Sequence, residues 1–515
     1  MADRRGAAGA FTALIAIVCL WPYLWVLPLG PMSRDAAIWM ARSRVLKQVF
    51  IEWIFFTQHF KVGYRPVTGL SYAVNDLVGG YRITDLLLHA SCVVLVYVLY
   101  RRLAPMLPKA GGVVAALLMA AHPIAELVVP HLARRGYPLA TALSLGGLAL
   151  LTLPGKARLV GPLLLGAAAL ANDASYVVFV VGALLVVSRD RDRDSLTVLG
   201  GVLLTLLVER FVVIGGVGGY HVDDRASRMV PILTATWDRL LGFTGPLELP
   251  LSVGAASTAM LGLLGLGAAT ASGLREEWGK PAGLMLAWLV GFTLLFTPQG
   301  VWFPRQTYLM VAPLALLVGM LLAQVQRERW QTMLAAVPAA LILAACVLRS
   351  PVLHGTNEVQ RQAWEQTEHL VQETAAAVST LRPKQPVHMV LPFYKRPGQA
   401  GFRARDARDE DDQDAKKDPL GARIVEQRVQ QMTGRLKNLT TYALLFTDPS
   451  APTPYATLAR EPEGWILTAP PSTRVSVLVG ETLLEDASGT RARVDFAPGH
   501  IFLFDGVEGR LFPVQ

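Results

Sequence analysis

PMSRDAAIWMARSRVLKQVFIEWIFFTQHFKVGYRPVTGLSYAVNDLVGGY, residues 31–81, separates the first two long apolar segments of the chain. It is too long and too polar to be a tight turn inside a bilayer, where lipid-exposed irregular backbone does not occur. Asp35 stands just past the apolar exit, and basic residues follow at Arg42, Arg44, Lys47, Lys61 and Arg65. Trp39, Phe50, Trp53, Phe55 and Phe56 make the run amphipathic, with rings suited to the headgroup level of a membrane. The stretch reads as a surface-seated loop, and the rest of the chain either crosses the membrane beneath it or supplies residues that face it.

Composition agrees with that reading. The 515 residues are 52% hydrophobic and only 17% charged, too apolar for an ordinary soluble protein. Apolar runs of about 18 or more residues recur, each long enough to cross a hydrocarbon core of about 30 Å. Hydropathy places about eleven spans, near 10–30, 84–100, 111–129, 138–153, 158–171, 174–187, 196–216, 249–272, 281–297, 307–324 and 332–348. The first, from Phe11 to Leu29, is long, ends in Trp and Tyr, and lacks a small-x-small cleavage site there, so it reads as an anchor and not a signal peptide. Cys19, Cys92 and Cys346 all fall inside apolar runs, which suggests neither a disulfide framework nor a metal cluster. The net charge of +9 fits topology signals and anionic headgroups better than nucleic acid.

Arg101-Arg102, Lys156 and Arg158, Arg189 to Arg193, Arg275 and Lys280, and Arg327 and Arg329 fall on the side of Arg4-Arg5. The positive-inside rule puts that side, with the N-terminus, in the cytoplasm. The loop 31–81, the turns around His131 to Tyr137, Gly219 to Glu248 and Thr297 to Arg305, and everything after Leu348 then share the outer face. The expected organisation is a polytopic α-helical membrane domain over 1–348 and an extracytoplasmic soluble α+β domain over 349–515. In the latter, Asn357 to Ser379 is helix-like and Arg403 to Asp418 is a mixed-charge surface run. YALLFT, GWILTA, RVSVLVG, RARVDFA and HIFLFDG read as strands of a closing antiparallel sheet.

Basic residues left on the outer face need a reason, and an anionic phosphate ligand is one. Four clusters face that side. Asp35 is placed to be a general base, or to cap a helix after Ser33. Tyr64-Arg65-Pro66 offers a guanidinium fork suited to phosphate, or a snorkelling arginine. Asn75, Asp85 and His89 follow it, and His89 on an apolar helix must pack against a partner or line a cavity. His122-Pro123 with Glu126 has the spacing that puts two ligands on one helical face, which makes a divalent metal site conceivable, but no third ligand follows and the spacing does not support one; no cofactor is certain. Arg134-Arg135 at the next outward turn is the better phosphate candidate, near His131. Asn172-Asp173 lies between two short spans, with Arg305 and Tyr308 at the mouth of a later one. An acid at membrane depth is a functional candidate, or else a plain inter-helix turn. Asp223-Asp224 reads as solvated.

The order YRPVTGLSYAVN, TDLLLHA, AHPIAELVVPHLARRGYPLA, LAND, RFVVIGGVGGY and RQTYL resembles the GT-C superfamily over roughly residues 30–325. More narrowly it is similar to the transmembrane O-mannosyltransferases, the dolichyl-phosphate-mannose protein mannosyltransferase-like family whose eukaryotic members carry TPR repeats. The resemblance matches Tyr64, Arg65, Pro66, His89, His122, Pro123, Arg135, Asp173, Arg305 and Tyr308, and makes Asp35 the acid of the first outer loop. It departs in carrying Arg34-Asp35 where the family has two acids, Glu126 one position early, Asn172-Asp173 for Lys-Glu, and Pro304 before Arg305. The TPR array is absent. The resemblance implies an inverting glycosyltransferase of the bacterial cytoplasmic membrane. Its donor is a polyprenyl-phosphate-linked sugar and its acceptor a protein hydroxyl, glycan or lipid. Asp35 and Asp173 are the catalytic candidates. Tyr64, Arg65, His89, His122, Arg134, Arg135, Arg305 and Tyr308 would bind substrate or lipid phosphate. A flippase for lipid-linked sugars and a non-catalytic assembly protein are the other classes. Two halves with matching interrupted helices, expected of a carrier, are not seen.

Overall fold

The computed structural model describes residues 20–28, 39, 65–189, 192–214, 236, 240, 279–296, 304–325, 368–381, 386–394, 429, 432, 439–446, 457–461, 464–468, 475–479, 482–486, 491–494, 496, 500–505 and 510–514. Asp35, Tyr64, Asp223 and Asp224, most of the loop 31–81, and the apolar runs 249–272 and 332–348 lie outside the described residues. The chain divides into two compact units, 1–28 with 38–359 and 29–37 with 360–515, and each has its own apolar core.

The first unit is helical. Helix α1 (Pro66–Val78) starts on proline, whose missing N–H would have had no helical partner anyway, and stops at Gly79 with φ 75°. Helix α2 (Tyr81–Leu103) carries Arg101 and Arg102 in its last turn, where cations suit the helix dipole. Helix α3 (Lys109–Ala121) ends because Pro123 bars the helical conformation to His122, which is extended at φ −63°, ψ 129°. The apolar run 111–129 is therefore not one helix. After the break come only α4 (Ile124–Val128) and a 3₁₀ turn, Leu132–Arg134. Helices α5 (Gly136–Leu151), α6 (Val160–Ala171), α7 (Val177–Arg189), α8 (Arg193–Ile214), α9 (Gly279–Phe296) and α10 (Tyr308–Val325) occupy the later apolar runs.

Among the described residues, three stretches, Tyr81–Leu103, Arg193–Val213 and Arg305–Ala323, are long and apolar enough to cross a bilayer, while Lys109–Ala121 and Lys280–Leu295 are apolar but shorter. Helix α6, with 12 residues, rises only about 18 Å. Helix α10 is the axis of the bundle, with Tyr308 to Leu321 buried without a break. It meets α3 through two glycines. A Cβ on Gly111 would strike the carbonyl oxygen of Gly319, and the reverse holds too, so the two backbones touch. The peripheral α8 leaves Leu204, Val208, Phe211 and Val212 exposed, as a lipid-facing helix would.

The second unit is built on a six-stranded sheet of order β6-β5-β2-β1-β8-β9. Here β1 is Val387–Tyr394, β2 Leu439–Phe446, β5 Val475–Val479, β6 Thr482–Asp486, β8 His500–Asp505 and β9 Arg510–Val514. The strand-like runs named above are strands, but the centre of the sheet is parallel. β1 pairs with β2 and with β8 in parallel, and antiparallel pairing is confined to the flanks. The reason lies in β1: Val387, Met389 and Val390, and His388 between them, are all buried, as in a central strand covered on both faces. Residues 368–379 form a helix, α11, whose Leu370, Val371, Ala375 and Val378 cluster with Val387, Met389 and Phe502. A separate three-stranded antiparallel sheet joins β3 (Thr457–Glu461), β4 (Gly464–Thr468) and β7 (Arg491–Val494).

Candidate functional site

The up-and-down course of the first unit brings the starts of α1, α2 and α5 beside the ends of α6 and α8. Thr68 Oγ1 donates to the Ala171 carbonyl at 2.8 Å, tying α1 to the last residue of α6. Tyr72 Oη donates to Leu132 O, and Arg82 to Pro130 O. Gly136 permits the convergence. A Cβ there would sit 3.1 Å from both Ala171 O and Thr68 Oγ1, so a larger residue would push α5 off its neighbours.

Two arginine–carboxylate groups share this end of the bundle, and they differ in kind. The closed one is centred on Arg135, whose side chain is fully buried. Its Nε donates to Asp85 Oδ1 at 2.5 Å, Nη1 to Asn75 Oδ1 at 2.5 Å and Ser71 O at 3.3 Å, and Nη2 to Tyr81 O at 2.7 Å. The guanidinium lies 4.3 Å from the Tyr72 ring centroid. With its donors spent on the protein, Arg135 has little left to offer a phosphate. It clamps α1, α2 and the start of α5 together.

The open group is centred on Asp173, the first residue of a 3₁₀ turn (Asp173–Tyr176). Asn172 caps that turn by accepting from Ala174 N at 3.1 Å. Arg65 Nε lies 3.5 Å from Asp173 Oδ1, and Arg210 Nη2 donates to Oδ2 at 3.2 Å. Both distances are longer than in the closed group; the Asp173 side chain is 38% exposed, while its Oδ1 and the Arg65 Nε it faces are buried. Each arginine is backed by an aromatic face, Arg65 by Tyr137 at 5.8 Å and Arg210 by Tyr176 at 5.6 Å. Burial alone would raise the Asp173 carboxyl, but the charges of Arg65 and Arg210 outweigh it and hold the group below the usual carboxylate range. Asp173 is therefore ionised at neutral pH.

The remaining sequence candidates fall as follows. His89 is wholly buried, with Nδ1 2.8 Å from Tyr308 Oη and its ring edge-on to Tyr23. Together His89 and Tyr308 join α2 to the first turn of α10, three residues after Arg305. His122 Nδ1 accepts from Ile124 N at 3.2 Å, so Nε2 carries the proton and donates to Leu240 O at 2.8 Å. Because His122 is extended, it does not share a helical face with Glu126, contrary to the spacing. Glu126 is buried on α4, beyond the helical stretches that can span, and burial raises its carboxyl to about 8. Arg134 is half-buried and donates to Leu127 O, and Arg305 is half-buried in a 3₁₀ turn, Pro304–Thr307, packed against α4. Arg210 was not singled out by the sequence. The signal was present, since a basic residue near the end of the apolar run 196–216 is conspicuous by the rule that flagged His89.

No protein-family model and no curated protein matches the chain. Among solved structures it is similar to ArnT from Cupriavidus metallidurans in the apo state, at 15% identity and TM-score 0.44, covering 90% of this chain and 98% of that one. ArnT from the same organism bound to undecaprenyl phosphate gives 14% identity and TM-score 0.44, covering 89% and 98%. The Archaeoglobus fulgidus oligosaccharyltransferase complex with Zn and sulfate gives 11% and 0.45, covering 91% and 74%. At such identities and scores these likenesses carry no argument about the chemistry of this chain.

Proposed function

We propose that this chain is a membrane-bound, inverting glycosyltransferase of the GT-C, mannosyltransferase-like kind. It would move a sugar from a polyprenyl-phosphate donor to an acceptor hydroxyl on a protein, glycan or lipid. Its site lies on the outer face of the cytoplasmic membrane, with the N-terminus inside. The observation that carries the reading is the Arg65–Asp173 pair. Two groups singled out independently from apolar surroundings meet at 3.5 Å, at the end of the bundle where the loop 31–64 joins α1.

In the proposed reaction the acceptor oxygen attacks the anomeric carbon and its proton passes to the Asp35 carboxylate. The bond from that carbon to the phosphate oxygen breaks, and its electron pair leaves on the phosphate. One base suffices, because a departing phosphate needs little protonation. Arg65, with Arg305 and Arg134 as further cations, stabilises the charge that grows on the leaving oxygens. Asp173 sets the position of Arg65. Arg135, His89 and Tyr308 position these groups through the closed network and the α2–α10 contact, without touching substrate.

The test is sugar transfer by purified, reconstituted protein from a panel of radiolabelled polyprenyl-phosphate sugars. Asp35→Asn is expected to lower transfer by a factor of about 100 or more while donor binding is kept. Transfer unchanged by Asp35→Asn but abolished by Asp173→Asn would move the base to Asp173. Donor binding with no transfer to any acceptor in a cell extract would end the transferase reading.

A further inference from the structure

We propose that Trp39 is the clamp of the outer loop. By stacking on Tyr72 of α1 it fastens the Asp35-bearing segment to the helical unit, which makes it a positioning residue for the base. The proposal rests on the reading above for the role of Asp35, and on the geometry of the stack for the rest. The sequence marks Trp39 only as one of several rings suited to a headgroup layer.

The structure gives that ring a partner inside the protein. The Trp39 and Tyr72 rings lie 5.8 Å apart between centroids and 17° from parallel, the stacked arrangement that aromatic pairs favour. Trp39 is half-buried and Tyr72 wholly buried. Tyr72 is a firm seat, because its hydroxyl donates to Leu132 O and the Arg135 guanidinium stands 4.3 Å from its ring centroid. The Tyr72 ring is thereby tied into the closed network, and what stacks on it inherits a fixed place. A ring that met only lipid headgroups would have no such seat.

The course of the chain makes the seat matter. It leaves the helical unit after Pro28 and re-enters it at Ile38, one residue before Trp39. Asp35, outside the described residues, falls in the excursion between. Rings hold the chain on both sides of it: buried Tyr23 stands edge-on to His89 of α2 at 6.0 Å, and Trp39 lies on α1. The two sides are unequal. From buried Val26 to Asp35 the chain can reach about 30 Å, but from Trp39 to Asp35 only about 14 Å. Trp39 therefore sets where the carboxylate can go.

The seat also lies on the relevant side of α1. Thr68, one turn before Tyr72 on the buried face of that helix, bonds Ala171 O, two residues before Asp173. Arg65 stands at the helix start, roughly 10 Å along the axis from Tyr72. The short tether thus begins on the face of α1 that meets the Asp173 turn. Without the stack the segment loses its nearer anchor, and a catalytic group misplaced by about 1 Å can cost about a hundredfold in rate.

The experiment uses the full-length protein in nanodiscs, as the native chain and as Trp39→Ala, Trp39→Phe and Asp35→Asn. Amide exchange over residues 31–38 is followed by mass spectrometry, beside sugar transfer from polyprenyl-phosphate donors. Trp39→Ala should speed exchange there about two- to tenfold, the factor that one aromatic pair contributes to a local opening. It should also lower kcat about tenfold and leave donor affinity within about twofold of native. Trp39→Phe keeps a ring and should recover most of both losses. Trp39→Leu, apolar and ringless, serves if the alanine variant fails to fold.

The Asp35→Asn background separates positioning from other roles. A residue that acts through Asp35 costs nothing further once the carboxylate is gone, so Trp39→Ala should leave the residual rate of Asp35→Asn unchanged. A second tenfold loss there, or donor affinity falling along with kcat, would put Trp39 on the substrate and overturn the clamp. Unchanged amide exchange overturns it as well, whatever the rates do. A native protein that transfers no sugar ends the transferase reading, and the exchange measurement then decides by itself whether Trp39 holds the loop.

Discussion

Arg135 and Arg65 were equal candidates as residues in a sequence, each an arginine at an outward turn. The structure separates them by what surrounds each head group. Arg135 is the more buried and the better bonded, which makes it the worse ligand and the more costly residue to alter. Arg135→Lys keeps the charge but cannot reproduce bonds to Asp85, Asn75 and Tyr81. It should destabilise the protein by about 3 kcal/mol, in the range for a broken buried pair. Thermal unfolding in detergent will show the loss, and polyprenyl-phosphate affinity of the folded fraction should stay at the native value. A tenfold loss of affinity at native stability would instead put Arg135 in contact with ligand.

Glu126 gives a second prediction at this scale. Its folded carboxyl is raised to about 8 by burial, from an ordinary 4.5. A raised carboxyl contributes stability that is fully present below the unfolded pKa and lost as pH rises to the folded one. The native protein should therefore lose stability between roughly pH 4.5 and 8, by at most about 1.4 kcal/mol per pH unit. Glu126→Gln cannot ionise and should match the native protein near pH 4, then exceed it increasingly up to pH 8. Parallel melting curves for the two proteins across that range would mean that Glu126 is already ionised in the fold.

Among the elements, the close crossing of α3 and α10 supports everything at the site end, because α10 leads back to Tyr308 and the Arg305 turn. Gly319 lies against Gly111, so Gly319→Val must part the two backbones. Overpacking of this kind costs about 1–3 kcal/mol, and melting in detergent should fall accordingly. An unchanged melting temperature would show that the crossing can open without cost. The helices themselves were legible, since each apolar run announces a helix by length alone. Pro123 keeps His122 out of the helical conformation, so the i, i+4 spacing to Glu126 does not put the two on one face. Spacing places two side chains on one face only if the backbone between them is helical. The parallel centre of the six-stranded sheet was not legible for a different reason. Alternation marks a strand with one wet face, whereas β1 is buried on both and presents a short apolar run with no period to read.

For the molecule as a whole, the sequence determined that the first unit is a helical bundle with spans long and apolar enough for a bilayer. It also determined that its ionisable residues would gather where the spans end. Both follow from local cost. An apolar run needs no partner to be recognised, and a charge within or beside one is conspicuous wherever the chain folds. Which charges meet is a different question. Arg210 reaches Asp173 across 37 positions and Arg135 reaches Asp85 across 50, and nothing in either segment names its partner. Arg65 and Arg135 differ as candidates only because one lies beside a half-exposed turn and the other inside a ring of tyrosines and carbonyls. Burial and pairing are properties of the packed bundle, so which arginine is closed into a network and which sits beside the Asp173 turn was decided by the tertiary structure alone.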